Sequence, residues 1–203
     1  MRATVFIVDD DRNVNHSLGL LLESVGLAAR SFTSAEAFLD AIQPDVCGCI
    51  LLDIRMPGMS GLQLQEELSV RGILLPVVFI TGYADVDVAV SVMKKGAFDF
   101  IEKPYNDQIL LETIERAIQQ SQRNLELWTL KNMINERLKD LTEREREILN
   151  LVVAGKSSND ISQQLDISAK TVAVHRANMM RKMHARSVAD LVQMLLKAAI
   201  QFS

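Results

Sequence analysis

Long apolar runs and cysteines are both scarce in this sequence of 203 residues. No segment approaches the roughly 18 uninterrupted apolar residues that indicate a membrane-spanning helix, and the first residues show no signal-peptide pattern. The two cysteines, Cys47 and Cys49, have no partner cluster elsewhere in the chain, and we interpret them as small buried residues in a reducing compartment. These absences count against a membrane protein and against a disulfide-rich secreted one, and they predict a cytoplasmic protein without a membrane partner.

Charge is divided unevenly along the chain, although the formal net charge of the whole is only −4. Residues 1–120 contain 9 basic and 17 acidic residues, a net charge of −8. Residues 141–203 contain 9 basic and 6 acidic residues, a net charge of +3. The length suits two domains, each with its own core. An acidic part joined to a basic part suggests two functions, the second of which involves a polyanion.

Short apolar runs alternate with helical patterns through residues 1–120. The runs begin near Val5, Leu27, Ile50, Pro76 and Phe98, and apolar residues at helical spacing lie between them. Parallel strands need long crossover connections. This alternation therefore predicts an α/β domain, a doubly wound five-stranded parallel sheet with helices on both faces.

Hydrophilic residues end four of the predicted strands. They are Asp9 and Asp10, Asp53, Thr81 and Lys103. The carboxyl ends of parallel strands lie along one edge of such a sheet, where these folds place their chemistry. Three carboxylates gathered there would repel one another unless a cation lay among them, and their hard oxygen ligands suit Mg²⁺. Taken alone, Asp53 is equally well explained as a polar residue at the end of a strand.

The combination of these residues predicts phosphoryl chemistry at Asp53. A carboxylate can act as a nucleophile and form an aspartyl phosphate. The Lys103 ammonium and the Thr81 hydroxyl would then contact the oxygens of the phosphoryl group. In-line transfer needs mainly positioning and charge neutralisation, which this set of residues offers.

No proline or glycine occurs in residues 121–140, and apolar residues recur there at spacings of three and four. We interpret this stretch as a helical linker that extends the preceding helix from Ile109 to Ile118, with a short dimeric coiled coil as the alternative. The predicted domains are thus residues 1–120, the linker 121–140, and residues 141–203.

Residues 141–203 contain four helical patterns, which makes this part all-α. They begin at Leu141-Thr142, Ser158, Ala169 and Ser187, and the last is predicted to run to about Ile200. The three residues 166–168 form a tight turn between the second and third patterns. Two short helices across such a turn in a basic domain predict a helix-turn-helix that binds double-stranded DNA. A generic small helical bundle is the alternative.

Helical spacing divides the third of these helices, residues 169–183, into two faces. Val172, Met179 and Met183 fall on one face and are predicted to be buried, with His175 at its border. The predicted DNA-binding residues are Lys170, Thr171, Ala173, Val174, Arg176, Ala177, Arg181 and Lys182. Small apolar side chains near the helix start would contact thymine methyl groups, and Lys170 would reach guanine acceptors. Arg176 and Lys182 are predicted to hold phosphates, which position the helix without specifying sequence.

The strand-end motifs resemble those of the receiver domain of two-component response regulators. They are Asp9-Asp10, Asp53, Thr81 and Lys103-Pro104, and the resemblance covers residues 1–120. It implies that a sensor histidine kinase donates a phosphoryl group to Asp53. It also implies that Asp10, Asp53 and the Arg55 carbonyl bind Mg²⁺, with Asp9 assisting through water. Phe100 matches the switch aromatic of the family, and the Lys103–Pro104 peptide bond is expected to be cis.

Residues 141–203 resemble the LuxR-type DNA-binding domain. The motifs that carry this resemblance are Leu141-Thr142-x-Arg144-Glu145, Gly155-Lys156-Ser157, Ile161, Leu165, Ile167-Ser168, Thr171-Val172-x-Val174-His175-Arg176 and Lys182. Asp166 replaces a glycine common in the turn of that domain, and aspartate tolerates unusual turn dihedrals. The whole chain therefore resembles a FixJ/NarL-type transcriptional regulator.

This resemblance implies a transcription activator controlled by phosphorylation rather than an enzyme. Phosphorylation would drive receiver dimerisation, promoter binding and contact with RNA polymerase. The residues predicted for the dimer face are Val86, Val90, Lys94, Lys95, Glu112 and Arg116. The alternatives are an aspartyl-phosphate phosphohydrolase, which would need a general acid where Arg55 stands, and a phospho-signalling module that does not bind DNA. A sigma factor shares the helical pattern but would lack a phospho-acceptor domain.

Overall fold

The computed structural model describes residues 3–43, 45–82 and 86–198 of the chain. It divides into two compact units at the boundary between Leu125 and Glu126. Two hydrophobic cores lie in the first unit and one in the second.

The first unit contains five strands and four complete helices. The strands are β1 (Thr4–Val8), β2 (Ala28–Phe32), β3 (Gly48–Leu52), β4 (Val77–Thr81) and β5 (Asp99–Glu102). The helices are α1 (Arg12–Ser24), α2 (Ala35–Ala41), α3 (Gly61–Val70) and α4 (Val86–Lys94), followed by the start of α5 (Asp107–Lys139). All strand pairs are parallel, in the order β2-β1-β3-β4-β5. The predicted doubly wound parallel sheet is confirmed.

The sheet is buried on both faces because helices cover each of them. In β1, Phe6 and Val8 belong to one core, whereas Val5 and Ile7 belong to the other. This is the period of two that a strand imposes on its side chains. Strand β3 is buried along its whole length. Because β3 is the central strand, Asp53, which follows it, lies in the middle of the edge formed by the carboxyl ends of the strands.

Helix α5 is a single helix of 33 residues. Its sequence contains no glycine or proline, so no residue that strongly disfavours a helix ends it earlier. It includes residues 121–139 of the predicted linker and begins before Ile109. Despite its length α5 is too polar to cross a membrane, and among the described residues no other helix is long and apolar enough to do so.

The second unit is helical, as predicted. After the end of α5 it contains α6 (Glu143–Val153), α7 (Ser158–Leu165), α8 (Ala169–Met183) and α9 (Val188–Lys197). Each begins after a capping serine or threonine whose hydroxyl accepts a backbone N–H of the first turn. Asp166 ends α7 with a left-handed φ of 49°, a conformation that aspartate adopts more readily than most residues. Ile200, the predicted end of the last helix, lies outside the described residues.

Candidate functional site

The carboxyl ends of β1 and β3 bring Asp9 and Asp53 together. The two strands are paired with Val8 opposite Leu52, and the Asp53 amide donates to the Val8 carbonyl oxygen at 2.9 Å. Asp9 is 4% exposed, and the side chain of Asp53 is 12% exposed. Two largely buried carboxylates therefore lie side by side at one edge of the sheet.

Lys103 reaches both carboxylates from the end of β5. Its amide donates to the Thr81 carbonyl oxygen at 2.8 Å, and its peptide bond to Pro104 is cis. Its Nζ lies 2.8 Å from Asp9 Oδ2 and 3.5 Å from Asp53 Oδ1. Lys103 is 94 positions from Asp9 and 50 positions from Asp53 in the sequence, yet the three side chains form one ionic group.

Burial and ion pairing oppose each other in this group. Burial raises the pKa of Asp53 and the neighbouring Asp9 carboxylate adds to the rise, while the Arg55 amide and the Lys103 ammonium counteract it. Although burial alone would lower the pKa of Lys103, the hydrogen bond and charge of Asp9, supported by Asp53, raise it overall. Lys103 therefore stays protonated, and the Asp53 carboxylate is held in an environment that only partly compensates its charge.

Gly61 allows the loop after β3 to close tightly behind Asp53. A Cβ atom on Gly61 would lie 2.1 Å from the Asp53 carbonyl oxygen, and the Gly61 amide donates to the Ile54 carbonyl oxygen at 3.0 Å. Only glycine fits such an approach of two backbone segments. The sequence does not predict this role, and the signal available was a glycine at the first position of a predicted helix.

The other predicted residues of this site lie at the same edge, except for Phe100, which lies within β5 opposite Phe79. Thr81 ends β4 and is 1% exposed. Phe100 is half-buried in β5 and packs against one of the two cores of the unit. Asp10 follows Asp9 and is exposed. The Arg55 amide donates to Asp53 Oδ2 at 2.7 Å.

The donor chemistry at this edge fits a hard divalent cation. Among the described residues no three histidine, cysteine, aspartate or glutamate side chains form a metal-binding group, and Asp9 and Asp53 share the Lys103 ammonium instead. Each carboxylate oxygen can accept more than one partner, so the contacts with Lys103 and with backbone amides leave acceptor capacity. Carboxylate and carbonyl oxygens are the ligands that Mg²⁺ prefers.

Helix α8 presents an exposed face opposite its packed face. Val172, Met179 and Met183 are fully buried, as predicted. The predicted DNA-facing residues Lys170, Ala173, Val174, Ala177 and Arg181 are all exposed, whereas Thr171 and Arg176 are half-buried. Ser168 caps the helix and its hydroxyl lies 2.8 Å from the Thr171 hydroxyl, so this part of Thr171 serves the helix start. Arg176 Nη1 donates to Ser158 Oγ at 3.3 Å and so links α8 to α7.

Lys182, which is predicted to hold a phosphate, also forms an ion pair within its own domain. Its Nζ lies 2.6 Å from Glu145 Oε2 and 3.0 Å from the Asp140 carbonyl oxygen. Glu145 is 4% exposed and also accepts the Thr142 amide in the capping box of α6. These two contacts of Nζ occupy two of the three ammonium donors, and the Lys182 side chain is 30% exposed. Sequence spacing alone does not reveal a pair 37 positions apart.

The residues predicted for the dimer face are largely solvent-exposed. On α4, Val90 is 46% exposed and Lys94 is exposed, while Lys95 pairs with Glu66 at 2.6 Å. On α5, Glu112 accepts from Gln108, and Arg116 pairs with Asp99 at 2.9 Å. The side chain of Val86 lies outside the described residues.

Two family models match the chain. Residues 5–115 match the response regulator receiver domain, and residues 139–195 match the bacterial regulatory proteins of the luxR family. The parallel sheet with the ionic group at its edge is thus a receiver domain. The helical part that follows it is a LuxR-type DNA-binding domain.

Full-length relatives share both domains. The chain is 47% identical over 194 residues to the transcriptional regulatory protein FixJ of Rhizobium meliloti, covering 95% of each chain. It is 42% identical over 197 residues to the transcriptional regulatory protein TdiR of Thauera aromatica, covering 97% of this chain and 87% of that protein. The solved structure of the response regulator StyR matches with a TM-score of 0.84 and 39% identity, over 97% of this chain and all of that chain. The protein belongs to the FixJ-type response regulators, which are DNA-binding transcriptional regulators rather than enzymes.

Proposed function

We propose that Asp53 is the phosphorylated residue of this response regulator and that a sensor histidine kinase supplies the phosphoryl group. The observation that supports this assignment is the position of Lys103 Nζ, which lies between the buried carboxylates of Asp9 and Asp53. An ammonium in that place can interact with the phosphoryl oxygens once Asp53 has become an acyl phosphate.

The transfer requires Asp53 to act as a nucleophile. One carboxylate oxygen attacks the phosphorus atom while the bond from phosphorus to the kinase imidazole nitrogen breaks, and the freed imidazole takes up a proton. Hydrogen bonds from the Arg55 amide and from Lys103 stabilise the ionised carboxylate before attack. Receiver domains generally use Mg²⁺, which neutralises charge on the phosphoryl oxygens. In this chain Asp10, Asp53 and the Arg55 carbonyl would hold it, with Asp9 acting through water.

The switch that follows is proposed to run from Thr81 to the surface of α4, β5 and α5. The Thr81 hydroxyl would move toward the phosphoryl group, and Phe100 would turn into the space it leaves. Exposed apolar Val90 and the surrounding charged residues of α4 and α5 suit an isologous two-fold dimer of receivers.

The phosphorylated dimer is proposed to bind promoter DNA in the cytoplasm and to activate transcription with RNA polymerase. The supporting observation is the exposed face of α8, where the small apolar side chains of Ala173, Val174 and Ala177 lie between the basic residues Lys170 and Arg181. Two such helices in a dimer would address half-sites about one helical turn apart. We assign receiver, linker and DNA-binding functions to residues 1–120, 121–140 and 141–203.

The acceptor assignment is tested by labelling with a small phosphodonor in the presence of Mg²⁺. Asp53→Asn is expected to abolish labelling, because the amide is not a nucleophile of this kind. Asp40→Asn, which changes an exposed aspartate of α2, is the matched control and is expected to label at the wild-type rate. Labelling of Asp53→Asn at the wild-type rate would contradict the assignment.

Regulation of DNA binding is tested with beryllofluoride, which mimics the phosphoryl group. The affinity of the full chain for promoter DNA is expected to rise in its presence, and the rise is expected to be absent in Asp53→Asn. Equal affinity with and without the mimic would show that the receiver does not control this DNA-binding domain.

A further inference from the structure

Arg144, near the start of α6, reaches across to the residue at which α7 ends. Its Nη2 donates to the Leu165 carbonyl oxygen at 2.8 Å, and its Nη1 lies 2.6 Å from Glu147 Oε2, one turn further along α6. The Arg144 side chain is 32% exposed, so the contact is partly shielded from water. One guanidinium group therefore joins α6 to the helix-turn-helix formed by α7, residues 166–168 and α8.

The contact fixes the carboxyl end of α7 from outside that helix. Leu165 is the last residue of α7, and the carbonyl oxygens of a last turn have no partner within their own helix. A cation at the carboxyl end of a helix also interacts favourably with the helix dipole. The Arg144 guanidinium supplies both the missing donor and the positive charge.

The turn that follows Leu165 contains a strained residue. Asp166 has a left-handed backbone, with φ 49° and ψ 50°, a conformation that costs free energy for residues other than glycine and persists where surrounding contacts hold it. The amides of Asp166 and Ile167 both donate to the Ser162 carbonyl oxygen, and Ser168 then caps α8. The dihedral angles of this short turn determine the direction in which α8 leaves α7.

Sequence-specific binding requires that direction to be fixed. Base edges are read through hydrogen bonds and apolar contacts of defined geometry, whereas phosphate contacts carry no sequence information. A turn that could change its dihedral angles would have to be ordered when the specific complex forms, and this cost would lower the specific affinity. Non-specific binding through phosphates avoids most of that cost, because it does not require one orientation of α8.

We propose that Arg144 is a positioning residue for sequence-specific DNA binding, which acts through the Leu165 carbonyl oxygen and the turn rather than by contacting DNA. This inference rests on the proposed contact of α8 with base edges. Loss of the Arg144 donor is therefore expected to lower the ratio of specific to non-specific affinity and to leave the number of phosphate contacts unchanged.

The test compares Arg144→Ala with Arg146→Ala in the full chain. Arg146 is the matched control, because it lies on the same helix, carries the same charge and also donates to a backbone carbonyl oxygen, that of Leu138 at 3.0 Å, which is not part of the helix-turn-helix. Affinity is measured over a range of salt concentrations for a duplex that the wild-type chain selects from a randomised pool and for random-sequence duplex. The ratio of the two affinities is expected to fall about fivefold in Arg144→Ala, the factor equivalent to one hydrogen bond, and to stay at the wild-type value in Arg146→Ala.

Amide hydrogen exchange of the same variants examines the turn without DNA. The Asp166 and Ile167 amides are expected to exchange about fivefold faster in Arg144→Ala and at the wild-type rate in Arg146→Ala. Because this measurement needs no DNA, it distinguishes failure of the Arg144 contact from failure of the proposed role of α8. Arg144→Met, which keeps an apolar stem and lacks the donor, is expected to match Arg144→Ala in both measurements.

Three results would overturn the proposal. A salt slope reduced by about 1 in Arg144→Ala, with the affinity ratio unchanged, would show that Arg144 contacts a phosphate directly. Unchanged exchange of the two turn amides together with an unchanged ratio would show that the contact does not position the turn. A wild-type ratio in Arg144→Met would assign the effect of Arg144→Ala to lost packing of the stem.

Discussion

At the scale of single residues, Asp53 is placed for chemistry rather than for stability. Burial, with the adjacent Asp9 carboxylate, raises the pKa of Asp53. Between the ordinary aspartate pKa and this raised value the folded protein binds a proton more readily than the unfolded chain does. The free energy of unfolding contributed by this residue therefore falls as the pH rises through that window, and it stays reduced at higher pH.

Asp53→Asn is accordingly expected to stabilise the receiver unit at pH 7. We expect the free energy of unfolding to increase by about 1 kcal/mol, a common size for single substitutions, because one of two neighbouring buried carboxylates is removed. The difference from the wild-type chain should shrink as the pH is lowered toward the ordinary aspartate pKa. Calorimetry of the full chain from pH 4 to 7 measures this, and a less stable Asp53→Asn at pH 7 would count against it.

Two residues of α8 are predicted to contribute differently to DNA binding. Arg176→Ala removes a cation next to the start of α7 and is expected to weaken binding almost uniformly across sequences, with the salt slope reduced by about 1. Val174→Ala changes an apolar side chain that is 54% exposed and is expected to alter the preferred site instead. Selection from randomised duplexes measures both effects. If Arg176→Ala re-ranked the sites while Val174→Ala did not, the assignment of the helix face would be wrong.

At the scale of whole elements, an ion pair ties α8 to the start of α6. Although burial raises the pKa of Glu145, the hydrogen bond from Lys182 and those from Thr142 lower it overall. A lowered pKa means that the pair stabilises the fold above the ordinary glutamate pKa and that this stability is lost as the pH falls through the lowered value. Helix α8 is therefore anchored at neutral pH by a carboxylate that also forms the capping box of α6.

Lys182→Ala is expected to lower the free energy of unfolding of the second unit by about 2 kcal/mol, because it leaves Glu145 buried without its cation while the partly exposed lysine site admits some water. Arg181→Ala is the matched control on the same helix. Its side chain is exposed and contacts Asn178, so its stability should stay within about 0.5 kcal/mol of the wild-type value. Denaturation at constant salt compares the two variants. A stable Lys182→Ala with a reduced salt slope for DNA would instead show that Lys182 acts mainly through the predicted phosphate contact.

Elements whose signal is local were predictable from the sequence. The apolar runs in the sequence indicated the five strands, whose successive side chains point into the two cores of the first unit. Capping residues such as Thr142 and Ser168 mark helix starts directly. Strand β4 begins at Val77 rather than at Pro76, because proline has no N–H for the strand ladder. Helix α5 runs from Asp107 to Lys139, through the stretch interpreted as a helical linker, since that stretch contains no residue that breaks a helix.

Features that depend on distant pairs were not predictable in the same way. The sequence predicted that Asp53 and Lys103 meet at one edge, because strand ends converge in this fold. It did not predict the role of Gly61, which depends on the close approach of the Asp53 carbonyl oxygen, 2.1 Å from where a Cβ atom on Gly61 would lie. It also did not predict the ion pair between Lys182 and Glu145. A basic residue on a DNA-binding helix has the same sequence pattern whether its side chain is free or paired.

At the scale of the whole molecule, activation is predicted to depend on a receiver dimer. Val90→Asp is expected to keep the chain monomeric in beryllofluoride at tens of micromolar, a range in which a weak interface would form (about 10⁻⁵ M), while labelling at Asp53 stays normal. Val70→Asp is the matched control, because Val70 is an exposed valine at the end of α3, 82% exposed, outside the proposed face. Sedimentation measures the state of each variant. A wild-type chain that stays monomeric with raised DNA affinity would refute dimerisation as the switch.

The positions of the cysteines and of the single tryptophan give each unit its own built-in reporter. Cys47 and Cys49 are both buried in the first unit, and burial, with the adjacent Cys47 thiol, raises the pKa of Cys49 to about 12. Trp128 lies in the second unit and is 37% exposed. Reaction of the thiols with a disulfide reagent should therefore begin only when the receiver opens, while indole fluorescence follows the other unit. Unfolding of the two units can then be timed separately in the unmodified protein.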